Sequence, residues 1–254
     1  MANSQRYSDL TIELLQKELR VRYKHLALGY AWSLANPLAY ATLYFIVFHT
    51  ILKVKTPNYP VFLIASLFPW QWLSNSILVG PMTFYGNAPL IKKTLFPRFL
   101  IPFVVVLQDM LHFVFSLPIV LAAVFLFDLH PSFGVLFGVP ALLLVQFILS
   151  YSLNLAIASV NLFFRDVERL LQLAMTFLFY MTPVLYSETL IPDRFQNLII
   201  LHPIAPLIIN WRSVLMSGTL DPALYLSSCV WALGLLVGSH LLYNRLQWRF
   251  AEVL

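Results

Sequence analysis

The chain has 254 residues, of which 60% are hydrophobic, 15% aromatic and only 11% charged. Soluble domains carry about 25% charged residues, so a water-soluble globular enzyme is excluded and an integral membrane protein is implied. The formal net charge of +5 does not point to nucleic acid, because in a membrane chain the placement of Lys and Arg says more than their sum.

The first 30 residues hold Asp9, Glu13 and Glu18 among basic residues and contain no long apolar run, so they do not read as a cleaved signal peptide. Arg6, Asp9, Glu13, Lys17, Arg20 and Lys24 recur at steps of three and four and make a charged stripe. Ile12, Leu15, Leu19, Tyr23 and Leu26 make an apolar stripe beside it. Residues 5–27 are therefore expected to form an amphipathic helix at the membrane–water interface. A helix packed on a partner protein is the alternative.

Six apolar segments follow, at roughly 29–52, 61–83, 100–127, 133–161, 171–187 and 222–244. A helical span needs ~20 apolar residues, and lipid leaves backbone groups no other partner than a helix or closed barrel. The breaks "KVKTPNYP" (53–60) and "DLHPSFG" (128–134) carry turn formers. The expectation is an all-α membrane protein, one domain over 1–254, with six transmembrane helices. Between the fifth and sixth segments, 197–201 and 204–210 are apolar but too short to cross, and Pro192, His202-Pro203 and Pro206 interrupt them. Two short re-entrant or interfacial outer helices are expected there, with an amphipathic loop on the headgroups as the alternative.

With a cytoplasmic N-terminus, 12 Lys and Arg fall inside and four outside, namely Lys53, Lys55, Arg194 and Arg212. The positive-inside rule favours that orientation. Arg194 and Arg212 are then expected at the outer headgroup level. The charge island Arg165, Asp166, Glu168, Arg169 becomes a cytoplasmic loop.

Soluble-enzyme chemistry is missing from the motifs. No G-x-x-x-x-G-K-[ST] phosphate loop, H-E-x-x-H metal motif or G-x-S-x-G elbow occurs. Cys229 is the single cysteine, so no disulfide forms within the chain. Asp109 is an acid well inside a span, with His112 nearly one turn later on the same face. An intramembrane carboxylate is a functional candidate; a hydrogen-bonded structural role is the alternative. Tyr40, Tyr44 and Phe48 recur at steps of four in the first span, Trp70 and Trp72 stand in the second, and Tyr180 in the fifth. Aromatic faces accept the C–H edges of sugars and Tyr adds a hydroxyl, so these six are candidates for a glycan path. Packing and interfacial aromatics are the alternative.

Three stretches together, "ELRVRYKHLALGYAWSLANPL" (18–38), "NAPLIKKTLFPRFLIP" (87–102) and "NLFFRDVERLLQLAMTFLFYMTPVLYSETLIPDRFQNLIILHPIAPLIINWRSVLMSG" (161–218), resemble the membrane subunit of ABC exporters of the ABC-2 type, in the polysaccharide-exporting group that includes O-antigen permeases. The resemblance implies a homodimeric permease of the bacterial inner membrane, both termini cytoplasmic, with two separate ATP-binding cassette subunits. ATP and Mg would sit on those partners and no cofactor in this chain. The substrate would be a lipid-linked glycan such as O-antigen, capsule or teichoic acid.

The resemblance also implies that Leu90, Ile91, Lys92, Lys93, Phe96, Pro97 and Arg98 dock on the ATPase. Arg165, Asp166 and Arg169 form a second coupling island, and simple positive-inside anchoring is the alternative for it. Residues 187–218, with Pro192, His202, Pro203 and Pro206, would be gate helices at the outer mouth. The family more often shows Asn-Pro where this chain has His202-Pro203. A permease for a small lipid or drug, an intramembrane lipid-modifying enzyme built around Asp109 and His112, and a passive channel remain open at this point.

Overall fold

The computed structural model describes residues 2–23, 32–53, 56–93 and 97–253. These form helices and turns, with no strand among them. The chain opens with α1 (Ala2–Tyr23) and α2 (Trp32–Tyr44), the latter running straight into a π-helical segment, Phe45–Ile51. Next come α3 (Tyr59–Leu78), α4 (Gly80–Tyr85), α5 (Ala88–Lys93), α6 (Leu100–Leu126), α7 (Val135–Asn161) and α8 (Val167–Met181). After these stand α9 (Asp193–Leu201), α10 (Ala205–Ser217) and α11 (Pro222–Leu246). A 3-10 turn, Gln247–Arg249, leads into α12 (Phe250–Val253).

The all-helical expectation holds, but the six apolar segments do not all appear as single long helices. α3, α6, α7 and the helix Pro222–Arg249 are each long and apolar enough to cross a membrane. α9 and α10 qualify only as a pair, bent by 95°. Segment 61–83 breaks at Val79, ahead of Gly80-Pro81. Segment 171–187 is helical only to Met181, because Thr182 takes an extended backbone (φ −86°, ψ 135°) before Pro183. Segment 29–52 changes from α to π at Phe45, and its residues 29–31 lie outside those described.

α3 is the central helix: 72% of its apolar window is buried inside the chain, against 17% for α11. α2, α6, α7 and α10 surround it. α10 is short yet buried almost throughout from Ala205 to Leu215. Its depth depends on glycine. A Cβ on Gly138 of α7 would lie 2.8 Å from the Val214 side chain, and one on Gly134 only 2.1 Å from the Gly218 carbonyl oxygen. Close backbone approach between membrane helices is what small residues permit. Gly218 itself ends α10 at φ +75°, the left-handed stop that glycine adopts without steric cost.

α1 docks on α6. Leu14 is buried against Leu100 and Val104, with Leu15 partly buried beside it. The apolar stripe read from the sequence is displaced, since Ile12 is 54% exposed and Leu14, outside that stripe, is the residue that packs. The side chain of Tyr23 and the whole of Leu26 lie outside the described residues.

Candidate functional site

A groove of about 460 Å³ opens between α2, α3 and α8. The four-residue step on α2 puts Tyr40 and Tyr44 on one face, with ring centres 6.2 Å apart and planes at 22°. Tyr44 meets Phe179 of α8 at 5.6 Å, and Phe179 meets Trp70 of α3 at 5.4 Å. Tyr180 completes the aromatic wall. Tyr40, Tyr44, Trp70 and Tyr180, picked out in three separate segments of the sequence, thus line one groove.

Phe48 and Trp72 do not line it. Phe48, in the π-helical segment, stands edge-on to Tyr44 at 6.4 Å. Trp72 lies two residues beyond Trp70 and so faces another side of α3. It is 3% exposed and stacks on Phe113 of α6 at 5.3 Å.

The rest of the wall was not anticipated. Gln71, Ser74 and Asn75 of α3, Gln172 and Thr176 of α8, and Asn36 of α2 bring amides and hydroxyls to the same groove. The 71–74–75 and 172–176 spacings follow helical steps next to Trp70 and Tyr180, and that polar pattern inside apolar segments was the available signal. Among the described residues, no charged side chain lines the groove. Aromatic faces with neutral donors and acceptors suit an uncharged polyhydroxylated body.

At the basic end, the two stretches expected to meet the ATPase join. The Tyr85 hydroxyl donates to the Leu162 carbonyl at 3.3 Å, and the Arg165 guanidinium lies over the Tyr85 ring at 5.8 Å. Phe250 of α12 is fully buried against Phe84, Phe163 and Tyr243. The C-terminal turn is therefore part of this surface, which the sequence did not indicate. Lys92, Arg165, Asp166 and Arg169 are exposed. Ile91 is buried and Leu90 packs near Leu14, Leu100 and Val104, so these two hold α5 in place rather than project from it. Pro97 is half-buried, and Arg98 donates through Nη1 to the Gln247 carbonyl at 2.6 Å. The side chain of Lys93 and residue Phe96 lie outside the described residues.

Hydrogen bonds connect this surface to the interior. Lys17 of α1 donates to Asn87 Oδ1, and Asn87 Nδ2 donates to Thr83 O at 3.0 Å. Thr83 Oγ1 donates to Asn154 Oδ1 at 3.2 Å, and Asn154 Nδ2 to Ser76 O at 2.5 Å. Ser76 Oγ then donates to Asp109 Oδ2 at 2.9 Å. Asp109 is 4% exposed and His112 half-buried. Two further amides of α7 brace the bundle. Gln146 donates to Pro69 O at 2.8 Å and accepts from the Trp211 indole at 2.5 Å, while Asn161 donates to Pro81 O at 3.0 Å.

At the opposite end, Pro192 precedes α9 and Pro206 stands in the first turn of α10, where its missing N–H costs nothing. α9 has no buried residue, whereas α10 is sunk in the bundle. His202 and Pro203 make the bend. His202 Nδ1 accepts from the backbone N–H of Ile204 at 3.2 Å and of Ala205 at 3.0 Å, capping α10. An Asn Oδ1 sits the same number of bonds from Cα, so the His at this position supplies the acceptor that Asn would.

Arg194 lies over the Phe195 ring at 4.6 Å on exposed α9. Arg212 does not reach the headgroups as expected. It is 5% exposed, donates to Pro183 O at 3.0 Å, pairs with Glu188 and lies over Phe62 at 4.2 Å. A carboxylate, a carbonyl and a ring face together make burial of that charge tolerable.

A sequence model described as "ABC-2 type transporter" matches residues 9–216. Two proteins of Klebsiella pneumoniae described as "O-antigen export system permease protein RfbA" are 38% and 39% identical over 250 residues, covering 97% of this chain and 95% of theirs. A protein of Myxococcus xanthus with the same description is 30% identical over 219 residues, 85% of this chain and 84% of its own. The matched region runs from the docked α1 through the groove-lining α2, α3 and α8 to the buried α10, so the geometry and the match concern the same helices: the chain is a multi-pass membrane permease and belongs to the ABC-2 type transporter family.

Proposed function

We propose that this chain is the membrane subunit of an exporter that moves a lipid-linked polysaccharide of the O-antigen kind across the bacterial inner membrane. Two copies would form the pathway and separate ATP-binding cassette subunits, carrying ATP and Mg, would drive it. The observation that carries the reading is the groove itself. Tyr40, Tyr44, Trp70, Phe179 and Tyr180 present ring faces beside neutral amides and hydroxyls, with no charge among the described lining residues. Rings bind the C–H faces of sugars and the polar groups meet their hydroxyls.

In this reading α2 with its π-helical extension and α8 join α3, α6, α7 and α11 to make six passes. Both termini then lie on the cytoplasmic side with the basic residues. The exposed Lys92, Arg165 and Arg169 receive the ATPase, and the α9–α10 bend closes the outer mouth. A bent pair of rigid helices suits a gate, because packed elements switch between discrete arrangements rather than yield gradually.

The test is reconstitution of the chain with an ATP-binding cassette subunit in proteoliposomes. ATP-dependent transfer of a lipid-linked glycan into the lumen is expected, with stimulation of hydrolysis by that glycan. Stimulation by a small amphiphile but not by glycan would replace this reading with a lipid or drug permease.

A further inference from the structure

At the basic end, α6 begins beside the last turn of α11, and a pocket of about 530 Å³ lies between them. Arg98, Phe99, Tyr243, Asn244, Gln247 and Trp248 line it. We propose that this pocket holds the phosphate headgroup of an anionic phospholipid from the adjoining leaflet. The proposal rests on the basic end lying at a membrane surface and is independent of the cargo.

Among the described residues, no acidic one lines the pocket. Among the described residues, no carboxylate pairs with Arg98, Arg245 or Arg249; the ion pairs there are Lys17 with Glu18 and Arg212 with Glu188. A pocket with an unneutralised guanidinium attracts phosphate, to which the planar fork of Arg is matched.

The end of a helix repels an anion, since its last carbonyls carry partial negative charge. Here two carbonyls at that end are covered. Arg98 Nη1 donates to Gln247 O at 2.6 Å, and the Trp248 indole donates to Arg245 O at 2.8 Å. The first bond also fixes the guanidinium; among the described residues its other N–H groups meet no acceptor, which leaves them for a ligand. The Gln247 amide donates to Asn244 Oδ1 at 3.1 Å, which commits the acceptor of Asn244 and leaves its two Nδ2–H donors. The start of α6 contributes the positive end of its dipole from the other wall.

The pocket lies where two membrane-length helices, α6 and α11, respectively begin and end. Trp248 is 65% exposed, with Arg249 over its ring at 5.0 Å. An exposed Trp backed by Arg at a span end is the usual residue pair of the headgroup layer. Basic pockets between membrane helices at that level bind anionic headgroups.

The experiment is native mass spectrometry of the full-length chain titrated with phosphatidylglycerol, phosphatidylcholine and inorganic phosphate. Phosphatidylglycerol should be retained at least about tenfold more tightly than phosphatidylcholine, the scale of one or two charge-assisted hydrogen bonds. Arg98→Gln should abolish that preference. Asn244→Leu, which leaves the Arg98–Gln247 bond intact and so guards against misfolding, should reduce it roughly fivefold. Arg194→Gln at the opposite end should leave it unchanged. Equal retention of phosphatidylglycerol by wild type, Arg98→Gln and Asn244→Leu would overturn the site. Binding of inorganic phosphate that depends on Arg98, without lipid preference, would overturn the lipid assignment in favour of a soluble phosphate ligand.

Discussion

The guanidinium of Arg165 lies 5.8 Å from the centre of the Tyr85 ring, while the Tyr85 hydroxyl donates to Leu162 O at 3.3 Å. One side chain thus joins the α4–α5 region to the loop that opens α8, and the two basic islands of the sequence become a single surface. A surface exposing Lys92, Arg165 and Arg169 together is suited to an acidic partner face. The triple variant Lys92→Glu/Arg165→Glu/Arg169→Glu is expected to insert normally but to lose ATPase binding by at least about tenfold, ~1.4 kcal/mol. Pull-down of the cassette subunit and cargo-stimulated hydrolysis read this directly, and wild-type values in both would remove the surface from energy coupling. Tyr85→Leu should weaken the same readouts only about two- to fivefold, the scale of an exposed cation–π contact.

The groove predicts a separation of transport from assembly. Tyr40→Ala/Tyr44→Ala removes two rings of its wall, and Trp70→Ala a third. Each ring contributes on the order of 1 kcal/mol beyond its area, so the double variant, losing about 2 kcal/mol, should transport glycan roughly thirtyfold more slowly. Complex formation should persist, because Tyr40 is 47% exposed and Tyr44 is only half-buried at the edge of the core. Trp72→Phe is the contrasting change: Trp72 lies in the core against Phe113, so transport per folded molecule should stay near wild type. Equal export by wild type and the Tyr40/Tyr44 variant, measured at matched membrane abundance, would leave the aromatics without a cargo role.

How much of this was legible in the sequence depends on what each residue's neighbours are. Apolar length alone marked α3, α6, α7 and α11, because lipid imposes the same demand at every position. The four-residue step of Tyr40 and Tyr44 is a local property of one helix and survived intact. Trp70 and Trp72 look equivalent as letters, yet two residues turn a helix by about 200°, so one faces the groove and the other the core. Arg212 was misplaced for a different reason. Its burial depends on Glu188, Pro183 O and Phe62, which come from distant parts of the chain. The polar chain from Lys17 to Asp109 crosses five helices, and no spacing rule within one helix encodes it.

Gln146 offers a stability test of that hidden polar framework. Gln146→Leu removes the acceptor of the fully buried Trp211 indole and the donor to Pro69 O. An orphaned buried donor costs about 1–3 kcal/mol in water-soluble proteins. Interhelical hydrogen bonds in membranes average nearer ~0.6 kcal/mol. We expect a loss of about 1–2 kcal/mol, visible as a lower melting temperature, and a coupling energy of about 0.6 kcal/mol or more in the cycle with Trp211→Phe. Full additivity of the two changes would show that the bond contributes nothing to stability.

The His202 cap predicts an informative rescue. Nδ1 of His202 accepts two backbone N–H groups at the start of α10. His202→Ala should cost about 1 kcal/mol, the usual loss for a removed cap. His202→Asn should recover most of it, because Oδ1 of Asn reaches the same place. If Asn and Ala variants melt at the same temperature, the imidazole stabilises the bend by packing and not by capping.

Labelling of introduced cysteines tests the orientation on which the proposed mechanism depends. Asp193 and Gln196 are exposed on α9, and Lys92 and Arg169 are exposed at the basic end. Cys229 is half-buried on α11 and is the single native thiol, so a Cys229→Ser background removes interference without deleting bulk. An impermeant maleimide added outside intact spheroplasts should label Asp193→Cys and Gln196→Cys and spare Lys92→Cys and Arg169→Cys. Permeabilisation should then expose the second pair. The expectation has a physical basis: basic residues are held on the cytoplasmic side during insertion, so the end carrying Lys92, Arg165, Arg169, Arg245 and Arg249 belongs there. Labelling of positions 92 and 169 from outside would invert the molecule. α9 and α10 would then lie at the cytoplasmic mouth, and the surface assigned to the ATPase would face away from it.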